Sequence, residues 1–171
     1  MVKTPAIFFD RDGILIKTKI VNQNPIAIKS MNEIIMNNGI VEICKKLSKS
    51  YHLFMITNQP DVSRGNNTKK NVNEINSFLK KKLKLKKTYV CFCSNNACSN
   101  RKPNPGMIKK AIKTYSIDTN KSYMIGDRWK DIVAGQKAKC KTILLNRKYS
   151  EKYRCKPNYI IRNLKGILKI L

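Results

Sequence analysis

Short apolar runs alternate with stretches of helical periodicity along most of this chain, and that alternation constrains the fold more than any other feature. Residues 5–10, HLFMIT at 52–57, TYVCF at 88–92, SYMIGD at 122–127 and KTILL at 141–145 read as buried strands. A shorter strand is expected near Tyr159–Ile161. Between them lie helical patterns. Residues 39–50 place Ile40, Val41, Ile43, Cys44 and Leu47 at helical spacing, and residues 66–84 place Val72, Ile75, Phe78 and Leu79 on one face. Residues 104–116, with Pro105 near the first turn, and residues 129–140 supply two more helices, and a terminal helix closes the chain. Strands that alternate with helices predict a three-layer α/β fold: a doubly wound parallel sheet with helices on both faces. No repeat or linker divides the chain, so residues 1–171 are expected to form one domain.

The first strand, Ile7-Phe8-Phe9, runs straight into Asp10, Arg11, Asp12 and Gly13. Two carboxylates two residues apart repel each other, and this chain is poor in acid. Other polar groups follow the later strands. Thr57-Asn58-Gln59 ends the second, Arg101-Lys102-Pro103 comes after the third, and Asp127-Arg128 ends the fourth, with Asp131 one helical turn on. In open α/β sheets the ligand crevice lies at these C-terminal strand ends. Each residue has a bland reading as a turn or a helix cap, but four strand ends in succession converge on one place.

The chemistry that suits this set is phosphoryl transfer. Asp10, at the end of a rigid strand, suits a nucleophile that forms an aspartyl-phosphate. Asp12 suits the general acid that protonates the leaving alcohol and later helps water attack. A Mg²⁺ ion held by Asp10, Asp127 and a backbone carbonyl, that of Asp12, would make such close carboxylates tolerable, with Asp131 steadying its waters from the outer shell. Thr57 and Lys102 would hold the remaining phosphoryl oxygens. Asn58, Gln59 and Arg128 are expected around the substrate.

The charge balance is extreme, with 36 Lys and Arg against 10 Asp and Glu for a formal net charge of +26. This favours polyanionic partners. The excess is spread along the chain rather than gathered in a tail, as compositional bias would produce. The densest run, Lys80–Lys87, reads as the solvated end of an amphipathic helix. No apolar stretch approaches the ~20 residues that a membrane span needs. The start, MVKTPAIFFD, lacks a signal peptide's long apolar region. A cytoplasmic protein with reduced cysteines is therefore expected.

FFDRDG, ITNQ, RKPNPGM and GDRWKDI resemble, in order and spacing, the four motifs of the haloacid dehalogenase (HAD) superfamily of phosphatases. They are most similar to the branch of D-glycero-D-manno-heptose 1,7-bisphosphate 7-phosphatases and histidinol-phosphate phosphatases. The resemblance implies a Rossmann-like doubly wound sheet, Mg²⁺ dependence and an aspartyl-phosphate on Asp10. It makes Asp12 the proton donor, Thr57 and Lys102 the phosphate holders, Asp127 a metal ligand and Arg101 a substrate-recognition residue. Fewer than thirty residues separate Asp12 from the helix near Gly39, leaving little room for a large cap domain.

Many relatives carry four zinc ligands just before Arg-Lys-Pro, as Cys-x-His and Cys-x-Cys. Here VCFCSNNACSNRKP keeps Cys91 and Cys98, has Cys93 in the histidine's place and Asn100 in that of the last cysteine. Three thiolates can bind Zn²⁺, but a structural site normally takes four ligands. His52 precedes the second strand, on the opposite side of the sheet, and reads as structural or exposed.

The resulting expectation is a monomeric phosphatase of a small phosphorylated metabolite. The alternatives are a histidinol-phosphate phosphatase, a polynucleotide 3′-phosphatase, which the charge favours, and a catalytically inactive binding module. The cysteine loop and GDRWKDI place the metabolite branch ahead of a nucleic-acid substrate, and no cluster of aromatics offers a base-stacking platform.

Overall fold

The structure is a computed structural model that describes residues 3–21, 24–149, 151 and 156–171. Among the described residues, eight strands and four α-helices run in the order β1 (Ala6–Phe9), β2 (Lys19–Val21), β3 (Asn24–Ile26), α1 (Ile40–Leu47), β4 (His52–Asn58), α2 (Lys69–Lys82), β5 (Lys87–Cys91), α3 (Gly106–Tyr115), β6 (Tyr123–Gly126), α4 (Trp129–Lys137), β7 (Lys141–Leu145) and β8 (Tyr159–Ile161). Six of the strands form one parallel sheet in the order β5-β4-β1-β6-β7-β8. This is the doubly wound, Rossmann-like arrangement. The chain leaves β1 toward one edge, returns, and builds the other half from β6 outward. The switch point therefore lies between β1 and β6, whose C-terminal ends carry Asp10 and Asp127.

Alternation along the strands separates two cores. Ile7 and Phe9 face one side with Met55 and Ile125, covered by α1, by Ile75 and Leu79 of α2, and by Leu164 and Ile167 near the C-terminus. Ala6, Phe8, Phe54 and Met124 face the other, covered by Met107, Ile108 and Ala111 of α3 and Ala134 of α4. All four residues of β1 are fully buried, as a central parallel strand requires.

The structure departs from the sequence reading in four places. Val41 and Phe78, placed on buried helix faces by periodicity, are exposed. Asn76 takes the buried position on α2 instead, because it meets Arg11. The lysine run is not one solvated helix end. The helix stops at Lys82, Lys84 turns with φ 51°, Leu83 and Leu85 are buried, and Lys87 already belongs to β5. The terminal segment Leu164–Lys169 is a 3₁₀ helix rather than an α-helix. Finally, β2 and β3, not foreseen, pair as a small antiparallel hairpin between β1 and α1. This hairpin, not a large cap domain, stands beside the strand ends.

Five of the six cysteines, Cys44, Cys91, Cys93, Cys98 and Cys140, are free thiols, and Cys155 lies outside the described residues. Met1 and Val2, the first residues of the segment read for a targeting signal, also lie outside them. Among the described residues, no helix is long and apolar enough to cross a membrane.

Candidate active site

The loop after β1 is pinned before any ligand is considered. The Leu15 and Ile16 amides donate to the Arg11 carbonyl, and the Gly13 amide donates to Ile16. Gly13 sits at φ 88°, where a side chain is strained, and a Cβ there would overlap the Asp127 carboxylate. The Asn37 amide donates to the carbonyls of Gly13 and Ile14, and Arg147 reaches both the Gly13 carbonyl and Asn37 Oδ1.

This scaffold holds the two carboxylates in different surroundings. Arg11, the largest fully buried side chain, grips Asp12 with Nε to Oδ2 at 3.0 Å and Nη2 to Oδ1 at 3.2 Å, while Nη1 donates to Asn76 Oδ1. The Gln59 amide donates to Asp12 Oδ2 and to Thr57 Oγ1, both at 2.9 Å. Asp12 is thus aimed by two donors from the protein side. Asp10 instead faces Lys102, whose ammonium lies 2.7 Å from Asp10 Oδ1, 2.6 Å from Asp131 Oδ1 and 2.9 Å from the Ile56 carbonyl. Three acceptors satisfy all three ammonium protons. Asn58 fixes the lysine's backbone from the side, accepting from its amide and donating to its carbonyl, both at 3.0 Å.

Asp127 completes the floor. Its Oδ2 accepts a 2.7 Å hydrogen bond from the Tyr149 hydroxyl. Its Oδ1 is the one buried side-chain oxygen or nitrogen without a hydrogen-bond partner among the described residues. Carboxylate oxygens of Asp10, Asp127 and Asp131 all lie within 4.8 Å of one another. The electrostatic consequence is clear. Burial, then the charge of Asp131, pushes the Asp10 carboxyl up to about 7, with Lys102 opposing. Burial, then Asp10 and Asp131, pushes Asp127 well above the usual carboxylate range. Burial works against charge on Lys102, but Asp10 and Asp131 outweigh it and raise its pKa.

An orphaned buried carboxylate oxygen amid three acids and one lysine is an oxygen-only donor set short of positive charge. That fits a hard divalent cation such as Mg²⁺. Asp10 and Asp127 point free oxygens at this place. Asp131 does not, because Oδ1 is taken by Lys102 and Oδ2 by the Arg128 backbone amide at the start of α4. The outer-shell part expected of Asp131 is therefore joined by two protein contacts that the sequence did not reveal.

A cleft of about 420 Å³ opens above the carboxylates. The β2–β3 hairpin contributes Pro25, Ile26 and the following Ala27 to one wall, and Lys29, Arg64, Arg101, Arg128 and Lys130 are set around it. Burial and the neighbouring charges of Arg128 and Arg101 lower the Lys130 pKa, the mark of cations crowded without enough anion. Glu151 pairs with Arg128.

Of the residues expected at the substrate, Asn58, Arg101 and Arg128 line the cleft, and Gln59 stands behind Asp12. Arg101 is also tied to the cysteine loop, through Nη1 to the Cys93 carbonyl at 2.9 Å and Nε to Asn96 Oδ1 at 3.2 Å. Both side-chain amides of Asn58 and Gln59 are committed to protein partners, so the geometry gives them positioning parts, on Lys102 and on Asp12, rather than the substrate contacts expected from their place after the strand. Arg11, Asn76, Asn37, Arg147 and Tyr149 were not foreseen. Arg11 carried a signal, a third charge inside a buried strand end. Tyr149 carried only its place after KTILL, another C-terminal strand end.

The three thiols expected as zinc ligands come together, with Cys93 and Cys98 sulfurs 2.8 Å apart and Cys91 and Cys98 sulfurs 3.7 Å apart. Among the described residues no histidine, carboxylate or further cysteine joins them, and Asn100 Oδ1 lies over Gly106 at the start of α3. The set does not fit a closed, four-ligand zinc centre.

Comparisons with known proteins bear on the carboxylate floor. The HAD-hydrolase-like family model matches residues 99–167. The chain is 34% identical over 148 residues, 82% of each chain, to the D-glycero-beta-D-manno-heptose-1,7-bisphosphate 7-phosphatase of Helicobacter pylori (strain ATCC 700392 / 26695). It is 31% identical to the D-glycero-alpha-D-manno-heptose-1,7-bisphosphate 7-phosphatase of Campylobacter jejuni over 150 residues, 84% of this chain and 83% of that one. In fold it matches the crystal structure of D,D-heptose 1,7-bisphosphate phosphatase from B. bronchiseptica, complexed with magnesium and phosphate. That match has a TM-score of 0.82 at 22% identity, covering 98% of this chain and all (100%) of the other.

Proposed function

This chain belongs to the D-glycero-manno-heptose-1,7-bisphosphate 7-phosphatases of the HAD superfamily, and is a phosphatase; from that premise we propose that it removes the 7-phosphate of a D-glycero-D-manno-heptose 1,7-bisphosphate through an aspartyl-phosphate. The observation that carries this reading is the division of labour between Asp10 and Asp12. One carboxylate faces an ammonium in the buried floor, and the other is gripped by Arg11 and Gln59 at the mouth of the cleft.

Asp10 attacks phosphorus with an oxygen held at the end of β1, so little orientation remains to be lost on reaching the transition state. Lys102 stays charged throughout, and its ammonium trades one of the three acceptors it holds without substrate for a phosphoryl oxygen as negative charge is redistributed. Thr57, the residue after the one whose carbonyl Lys102 bonds, has its hydroxyl fixed by the same Gln59 amide that holds Asp12. Asp12 protonates the departing sugar oxygen, and the same carboxylate then takes a proton from the water that cleaves the aspartyl-phosphate. Asp10, Asp127 and the Asp12 carbonyl would hold Mg²⁺, with Asp131 behind them, and the ion would supply the charge that lets Asp10 and a phosphate dianion approach each other. The cations around the cleft, Arg101 foremost, suit the substrate's second phosphate.

The rest of the proposal follows from the same geometry. Both cores draw on β1, β4 and β6 of the one sheet, which supports one catalytic domain. The test is phosphate release from a panel containing both anomers of heptose 1,7-bisphosphate, histidinol phosphate and a 3′-phosphorylated oligonucleotide. Preference for a heptose bisphosphate by at least tenfold in kcat/KM is expected. Preference for the oligonucleotide would replace the reading and give the +26 charge a direct use.

A further inference from the structure

Beside the cleft, the loop from Cys91 to Arg101 brings three thiols together without completing a metal centre. A zinc–sulfur bond of about 2.3 Å sets the sulfur–sulfur edge of a tetrahedron at ~3.8 Å. The Cys91–Cys98 separation of 3.7 Å matches that edge, but Cys93 and Cys98 at 2.8 Å are far inside it. Two sulfurs that close are poised to bond to each other rather than to share an ion. Exposure points to the same pair. Cys93 is exposed and Cys98 partly so, whereas Cys91 is buried at 3% exposure. The loop is braced around them. Asn104 donates to the carbonyls of Asn96 and Cys98, both at 3.0 Å, and the Gly106 amide donates to Ser99 at 2.9 Å.

We propose that Cys93 and Cys98 are a reversible dithiol, a modification site at which a hydroperoxide closes a disulfide. One of the two thiols, as thiolate, attacks a peroxide oxygen. The O–O bond breaks, and the departing hydroxide or alkoxide takes up a proton as water or alcohol. The sulfenic acid so formed is attacked by the neighbouring sulfur. The S–S bond forms, the S–O bond breaks, and the hydroxyl leaves with the second thiol's proton as water. Two thiols lose two electrons, and the peroxide gains them. The pair matters to the cleft because the Cys93 carbonyl accepts from Arg101, so the disulfide forms one residue's width from the group that lines the cleft.

The test uses the intact, reduced protein. It is treated with a few equivalents of hydrogen peroxide, alkylated and digested with trypsin. Residues 88–101 are released as one peptide that holds all three thiols. The expected product is this peptide lighter by two hydrogens, with a Cys93–Cys98 link on fragmentation, a single alkylated thiol at Cys91, and full reversal by dithiothreitol. Cys93→Ser and Cys98→Ser abolish the product at the same peroxide dose, and Cys91→Ser keeps it. Oxygen-bearing cysteines in place of a link would overturn the proposal, as would a link that requires Cys91. So would an equivalent of zinc bound to these thiols in the purified protein that must be stripped before any link forms.

Discussion

The Lys102 ammonium lies 2.7 Å from Asp10 Oδ1, in the floor of a cleft where it is also shared with Asp131. Lys102 and the proposed Mg²⁺ would thus divide the task of neutralising three converging acids. Replacing this lysine by the neutral Lys102→Met leaves Asp10 and Asp131 facing each other. Breaking a buried ion pair costs about 3–5 kcal/mol, so the metal-free variant should unfold at markedly lower denaturant. Added Mg²⁺ should recover more stability in the variant than in the parent, and turnover of p-nitrophenyl phosphate should fall by on the order of 10²-fold or more. Denaturant titrations with and without Mg²⁺, beside steady-state rates, check both parts.

Tyr149 reaches Asp127 from the loop after β7 and occupies Oδ2, leaving Oδ1 for the proposed ion. Partners that orient a metal's ligands are typically worth about 10–100-fold in metal affinity. Tyr149→Phe keeps the ring and removes only the hydroxyl. Calorimetric titration with Mg²⁺ should show affinity reduced within that range while the melting curve in EDTA hardly moves. Unchanged affinity would make the contact incidental.

Gly13 gives a backbone prediction. Its positive φ and the Asp127 carboxylate directly over the missing side chain oppose any substitution. Gly13→Ala meets the left-handed penalty of roughly 1–2 kcal/mol and must push Asp127 aside. Stability in EDTA should drop by at least that amount, and Mg²⁺ binding should weaken as well. Circular dichroism melts and the same calorimetric titration measure the two effects separately.

The sheet was legible in the sequence because parallel strands buried on both faces must be apolar along their centres, as β1 and β6 are throughout and β4 and β7 are over Leu53–Ile56 and Ile143–Leu145. The floor of the site was legible for a related reason. A chain with ten acids that sets Asp10, Asp12, Asp127 and Asp131 after such strands has few structural uses for them there. What stayed hidden depends on contacts across the sequence. Asn76 is polar on a helix face that periodicity assigns to the core, and only Arg11, 65 residues away, explains its burial. Tyr149 looks like any loop tyrosine until the fold brings it to Asp127. The β2–β3 hairpin is short, carries Pro25 and pairs with nothing but itself, so no run of alternating residues announces it. The amides of Asn58 and Gln59 look free in a strand-end motif, and only tertiary structure shows the backbone and carboxylate that claim them.

The central claim is that Asp10 is the nucleophile of a metal-assisted phosphatase acting on a heptose bisphosphate. Its most direct test is phosphate release from D-glycero-D-manno-heptose 1,7-bisphosphate by the parent and by Asp10→Asn, each with Mg²⁺ and with EDTA. The parent should release one equivalent of phosphate, from the 7-position, with Mg²⁺ alone, and Asp10→Asn should release none above background in either condition. Turnover by a folded Asp10→Asn protein at the parent's rate would contradict it.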